Sequence, residues 1–286
     1  MLQRIKVSVK ALISSATAYL SQTRIGGHLF QQILSVAMKT TQTIRHKQVD
    51  LIFSVPNQLN RFRVNTFSTK EPETLEWIDA IPSDAIFSDI GANIGLYSCY
   101  AAKARGCQVF AFEPSVLNLE LLARNIYLNN LIDKVVILPL PISDQLSLNT
   151  LNMTSMEWGG ALSTFGEKYG WDGLEMKRVF AFQTLGIPLD DVVKRLRLKP
   201  PNYIKLDVDG IEHLILSGGQ EVLTQVDGVL IEVNDAFHEQ SAQCQRLLAE
   251  AGLVLKEKRH SEMFDLPDAF GGGAVWNQIW QRESSV

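Results

Sequence analysis

The chain has 286 residues, 46% of them apolar and 20% charged, which is enough for one large domain with a sizeable core, or one domain plus an appendage. A net charge of −4 gives no reason to expect nucleic acid as a partner. Three cysteines (Cys99, Cys107 and Cys244) without a C-x-x-C pair argue against a disulfide framework or a zinc site and fit a reducing, cytoplasmic setting.

The first segment is compositionally distinct. Residues 1–49 contain no Asp or Glu and seven basic residues: Arg4, Lys6, Lys10, Arg24, Lys39, Arg45 and Lys47. No apolar run approaches the ~18 residues of a membrane span, and no secretory signal is present. Three readings stay open. Residues 1–50 form a helical appendage that packs on the main domain or mediates homo-oligomer formation; or a basic amphipathic helix lying on an anionic membrane, which would make the protein peripheral; or a cleaved organellar presequence.

The main domain is expected over 51–286. LIFSVPN and FRVNTFST (51–69) read as short strands, and EPETLEWIDAI (71–81) as a helix with Pro72 in its first turn. A regular alternation follows: strand 86–90, helix 94–105 closed by Gly106, strand 107–112, helix 116–130 and strand 135–142, whose two prolines mark a bend or an edge. Residues 143–178 lack a clean period and read as an insertion with short strands. The apolar stretch 179–186, helix 188–196, strand 202–210, helix 212–225, strand 228–233, helix 239–251 and strands 253–259 and 274–281 complete the order. Strands alternating with helices predict an α/β, doubly wound, mostly parallel sheet. The last two strands have no helix between them and predict an antiparallel C-terminal edge pair. The glycine run at 271–273 reads as a loop and not a phosphate cradle, because a strand follows it.

Residues 86–95, IFSDIGANIG, carry the chemistry. An apolar strand ends in an acid and a glycine turn, and a helix follows, which is where nucleotide-like cofactors bind. The spacing is G-x-x-x-G and not the dinucleotide G-x-G-x-x-G. A carboxylate at Asp89 would repel a pyrophosphate but favour the ammonium and sulfonium of S-adenosylmethionine. Glu113, at the end of the second strand, suits a two-pronged grip on ribose hydroxyls.

Together with FEPS (112–115), the LDD helix start (189–191), IKLDVDGIEHLILSGG (204–219), IEVN (231–234) and WNQIW (276–280), the DIGANIGLYS stretch (89–98) resembles the FkbM-type S-adenosylmethionine-dependent methyltransferase family over roughly residues 60–281. The resemblance implies a Rossmann-like class I methyltransferase fold and O-methylation of a hydroxyl on a sugar, glycan or polyketide-like metabolite. It also implies that Asp89, Gly91, Asn93, Gly95 and Glu113 line the cofactor pocket. Asp209 stands where the family usually has Glu, and the stretch before residue 60 matches nothing familiar.

An aliphatic hydroxyl benefits from a base or a metal as its proton leaves. Two polar sets are expected at the carboxyl ends of the strands. One holds Asp207, Asp209, Glu212 and His213; the other holds Glu232, Asn234 and Asp235, with His238 beyond. Asp207 either approaches the reacting atoms or caps the helix starting near Gly210. Glu212 either acts chemically or simply favours a helix N-terminus, and His213 is either the base or a structural histidine. Oxygen donors on Asp207, Asn234 and Asp235 would suit Mg²⁺, though a metal-free base is the favoured reading. Ser143 and Asp144 are placed at the end of the third strand, facing the adenine. Trp158 with Gly159 and Gly160 either borders the acceptor pocket or forms a hairpin turn. The competing function is a catalytically silent methyltransferase-fold binding protein.

Overall fold

The computed structural model describes residues 14–260 and 273–283. Its centre is a seven-stranded sheet in the order β12-β13-β11-β10-β3-β4-β5. The strands are β3 (Ile86–Ile90), β4 (Gln108–Phe112), β5 (Val135–Leu138), β10 (Tyr203–Leu206), β11 (Gly228–Asn234), β12 (Leu253–Arg259) and β13 (Val275–Arg282). β11, β10, β3, β4 and β5 pair in parallel. β13 alone runs against its neighbours β11 and β12, so the expected antiparallel edge pair is present. The inner parallel strands β3, β4 and β10 are short runs buried on both faces, as crossover helices require, whereas edge strand β5 is partly exposed.

On one face lie α4 (Pro72–Ala80), α5 (Leu96–Arg105) and α6 (Val116–Leu128), with a hairpin of β1 (Thr41–His46) and β2 (Val49–Ser54). On the other lie α8 (Glu212–Ser217), α9 (Gln220–Leu223) and α10 (His238–Glu250). The same face carries a second, four-stranded sheet, β6-β9-β7-β8, made of Ile142–Ser143, Phe180–Pro188, Ser147–Met153 and Ser163–Phe165. α7 (Leu189–Leu196) leads from this sheet to β10.

Four expectations shift. The appendage ends before residue 41, because Leu51 and Phe53 of the hairpin are wholly buried and Asn125 and Asn129 of the α6 end clamp its backbone through Ser54 N and Ile52 N and O. Among the described residues, α1 (residues 14–21) and α2 (Arg24–Lys39) precede the hairpin. Residues 58–65 form a helix, α3 (Gln58–Asn65), which takes up the first half of the strand expected at FRVNTFST (62–69); the Asn57 side chain accepts from Asn60 N and starts it. The strand expected over 135–142 stops at Leu138, since Pro139 and Pro141 supply no N–H for the ladder, and Ile142 joins the second sheet. The insertion therefore continues through β9 to Pro188. The helix expected over 212–225 breaks at Gly218–Gly219, where a Cβ on Gly218 would collide with the Ser143 carbonyl oxygen. Of the glycine run, residues 271–272 lie outside the described residues.

Candidate functional site

The turn after β3 is built on backbone constraints. Gly91 N and Ala92 N both donate to Phe112 O, at 3.0 and 2.9 Å, which ties the turn to β4. Gly91, Asn93 and Gly95 take positive φ of 86°, 50° and 81°. A Cβ on Gly91 would strike the Asp207 carbonyl and one on Gly95 would strike Leu122, so the turn lies tight between β10 and α6.

Three acceptor groups surround this turn. Asp89 is 1% exposed; its Oδ2 accepts from Ser98 Oγ at 2.6 Å, while its Oδ1 is buried with no hydrogen-bond partner among the described residues. Burial raises its pKa against the pull of Lys205. Asn93 Oδ1 is a second buried oxygen with no partner. Glu113 accepts from Asn93 N (2.8 Å), Ser115 N (2.8 Å) and, weakly, Asn118 Nδ2 (3.4 Å). A carboxylate has about four acceptor positions. Glu113 therefore has room for about one ligand hydroxyl, fewer than the two-pronged grip its spacing suggests. Burial pushes its pKa up to about 7.

A row of charged side chains crosses the sheet beside the turn. Lys205 stands between Asp89 of β3 and Leu230 of β11 in the parallel register. One residue beyond that register, Asp207 stands beside Glu232, and Glu232 in turn pairs with Asn277 of β13. Side chains alternate along a strand, so Asp89, Lys205, Asp207 and Glu232 all face the α4–α5 side. Lys205 is 2% exposed and donates to Asp207 Oδ2 at 2.9 Å, with its Nζ 5.2 Å from the Tyr97 ring centre. Burial favours the neutral amine, but Asp207, Asp89 and Glu71 hold Lys205 charged. Against the same burial, Lys205 and Lys70 hold Asp207 below the usual carboxylate range. From the edge of α4, Glu71 pairs with Lys70 and accepts from Tyr97 Oη at 2.9 Å. Neither lysine, Glu71 nor Tyr97 was singled out from the sequence. The available signal was Lys205 itself, a charge inside the otherwise apolar strand YIKL.

The expected catalytic residues part company here. Asp207 lies in the row. Asp209 has a positive φ of 64° and its Oδ2 accepts from Leu162 N and Ser163 N, so it fastens the insertion; burial and Asp207 raise it to about 6. Glu212 and His213 are on the opposite face. Glu212 accepts from Val208 N, Gly210 N and Gln240 Nε2, and burial raises it to about 7. His213 packs edge-on to Phe237, and burial lowers its pKa. The oxygen set considered for Mg²⁺ is engaged elsewhere. Asp235 pairs with Lys258, while Asn234 uses both ends on Trp171 O and Ala236 N. Among the described residues no group of three or more His, Cys, Asp or Glu is arranged to hold a metal ion. Ser143 and Asp144 do not end β5: Ser143 is in β6, against Gly218, and Asp144 is exposed beside it.

The insertion reaches the turn. Gly160 O accepts from Asn93 Nδ2 (2.9 Å) and Asn118 Nδ2 (3.1 Å), and Trp158 O accepts from Asn57 and Asn60. Arg63 Nε donates to Gly159 O at 2.9 Å. A cleft of about 410 Å³ opens between α3 and this segment, lined by Asn57, Gln58, Leu59, Met156, Glu157 and Trp158.

Comparison with known proteins places the chain among methyltransferase sequences. The sequence profile of the methyltransferase FkbM domain matches residues 89–264. Hexuronic acid methyltransferase AglP of Haloferax volcanii is 25% identical over 177 residues, 62% of this chain and 66% of that protein, just under two thirds of its length. Methyltransferase sdnD of Sordaria araneosa is 37% identical over 75 residues, 26% of this chain and 28% of that protein. Among solved structures, precorrin-6y C5,15-methyltransferase from Geobacter metallireducens overlaps 75% of this chain and 87% of its own, at 12% identity and a TM-score of 0.43. With the profile covering the glycine turn, the charged ends of β10 and β11 and all of α10, the chain belongs to the FkbM methyltransferase domain family.

Proposed function

We propose that this protein is an S-adenosylmethionine-dependent methyltransferase that methylates a hydroxyl of a sugar, glycan or polyketide-like metabolite. The observation that carries the reading is the pair of buried, partnerless oxygens, Asp89 Oδ1 and Asn93 Oδ1, flanking the glycine turn. Leaving such groups unmade costs about 1–3 kcal/mol each, so they call for donors from a ligand. An ammonium and ribose hydroxyls are donors of that kind; a pyrophosphate has none.

When bound, S-adenosylmethionine supplies an electrophilic methyl group on a sulfonium. Asp89 and Asn93 would hold its donors, Glu113 would take one hydroxyl, and Gly91 and Gly95 would let the backbone come close. The cleft beside Trp158 would seat the acceptor, with an indole face for a sugar ring and Asn57, Gln58 and Glu157 for its hydroxyls. The similarity to AglP, a hexuronic acid methyltransferase, supports a sugar acceptor. In this reading Asp209, Glu212 and His213 hold the scaffold. Calorimetry with S-adenosylmethionine, followed by turnover against glucuronic and galacturonic acids and a panel of neutral sugars, tests it. Absence of cofactor binding would sink the reading, and binding without turnover on any hydroxyl would favour the silent scaffold.

The basic arm supports a second, separate proposal of contact with an anionic membrane surface. Ile25, Leu29, Ile33 and Val36 fall on one side of α2, and all are exposed. No helix among the described residues is long and apolar enough to cross a membrane.

A further inference from the structure

Six carboxyl groups crowd the α4–α5 side of the strand ends, and five of them have partners; one of these, Glu73 of α4, accepts from Asn277 Nδ2. Asp89 has Ser98, Glu71 has Lys70 and Tyr97, Asp207 has Lys205, and Asp209 has two backbone amides. Glu232 makes no hydrogen bond or ion pair among the described residues, although it is half-buried in the same row. We propose that Glu232 is the catalytic base that takes the acceptor's hydroxyl proton. This assignment rests on the methyltransferase reading above and deepens it.

The step balances without another reagent. The acceptor O–H bond breaks and its proton goes to a Glu232 carboxylate oxygen. The acceptor oxygen's electron pair forms the new bond to the methyl carbon, while the C–S electron pair stays on sulfur, which becomes a neutral thioether.

The neighbours explain why this carboxylate and not another. Asp207 is stabilised as an anion by Lys205, and Glu71 by Lys70, so both are weak bases. Glu232 faces Asp207 on β10's end, Asp209 beyond it, and Glu71 with Lys70 at the start of α4. Burial comes first, and the charges of Asp207 and Glu71 next, in raising its pKa well above the usual carboxylate range; Lys70 opposes them. A raised pKa brings a carboxylate nearer to the strength useful for deprotonating a hydroxyl. The protonated product state is then a neutral acid among anions, which is favourable. Asn277 stands beside Glu232 in the register, and its Nδ2 donates to Glu73 Oε1 at 2.8 Å.

Two measurements on the full chain test the assignment. The first is turnover of glucuronic acid by wild type, Glu232→Gln and Glu232→Asp. Loss of a general base lowers kcat by about 10²–10⁴-fold. The expected pattern is that loss in Glu232→Gln, partial recovery in Glu232→Asp, and a dissociation constant for S-adenosylmethionine within about threefold of wild type in both. The wild-type kcat should fall on acidification through a pKa above that of an ordinary Glu, and Lys70→Met should move that limb to higher pH. The second needs no acceptor. Binding the cationic ligand near a protonated Glu232 should release a fraction of a proton, read from calorimetric enthalpies in buffers of different ionisation heat, and Glu232→Gln should abolish that fraction. Full kcat in a folded Glu232→Gln variant, or proton release unchanged from wild type, would overturn the base assignment while leaving the cofactor reading intact. Failure of wild type to bind S-adenosylmethionine would overturn both.

Discussion

The basic arm and the charged row at the strand ends use lysine in opposite ways. On the arm, Lys39 ends a helix that buries none of its residues, and Ile25 near the start of that helix is 85% exposed. In the sheet, Lys205 is almost wholly enclosed and neutralises acids from three elements. The first arrangement costs the fold nothing and contributes little to it. The second cannot lose one member without stranding another, because a buried charge without its partner is far costlier than a missing surface pair. Position relative to water, and not residue type, decides what a lysine does here.

The sharpest way to break this contrast is Lys205→Met. It should lower unfolding stability by about 3–5 kcal/mol in urea at pH 8, since Asp207 and Asp89 lose their shared cation. A loss below about 1 kcal/mol would mean the row is wetter and looser than its geometry. Next in size is Asp89→Ala. With a charge-assisted bond removed, binding of S-adenosylmethionine should weaken by about 1.5–3 kcal/mol in calorimetry; an unchanged affinity would remove Asp89 from the pocket.

A third test concerns the buried acid on the other face. The folded-state pKa of Glu212 lies near 7, above its ordinary 4.5, so the folded protein keeps this proton longer than the unfolded chain. Its contribution to stability is complete below pH 4.5 and is lost as pH rises through about 7. Glu113 and Asp209, raised to about 7 and 6, push in the same direction. Urea midpoints should therefore fall between pH 4.5 and 7, and Glu212→Gln should flatten the slope by about 1–2 kcal/mol across the window. An identical slope in the variant would show Glu212 to be hydrated.

The smallest effect belongs to the arm. Removing residues 1–40 should change unfolding stability by no more than about 0.5 kcal/mol, because α2 buries nothing. The same deletion should abolish co-sedimentation with anionic vesicles, binding that in the full chain declines steeply with salt. Equal binding to neutral vesicles, or a salt-independent association, would instead favour self-association of the arm.

Much of the cofactor side was legible along the chain. An apolar run, an acid and two glycines within ten residues define strand, turn and helix locally, since each signal acts over neighbours in sequence. The alternation of strands and helices fixed the class of sheet for the same reason. Local signals misled where a tertiary contact overrode them. Residues 58–65 became a helix once Asn57 capped them, and Gly218 broke a helix because it must pass the Ser143 carbonyl. Asp209, Glu212 and His213 follow Asp207 closely in sequence, past the expected end of the same strand. The alternation of strand faces and the turn at Gly210 then carried Glu212 and His213 to the other side.

The α/β alternation, the acid-bearing glycine turn, Glu113 at the next strand end and the family resemblance can all be read along the chain, because they depend on periodicity and short spacings. Only the tertiary structure decided which charges meet. Lys70, Glu71, Tyr97, Lys205, Asp207 and Glu232 span more than half the chain, and the parallel register with the helix packing above it brings them to one row. Coulomb interaction depends on distance through space and on exclusion of water, and neither quantity is written in the order of residues.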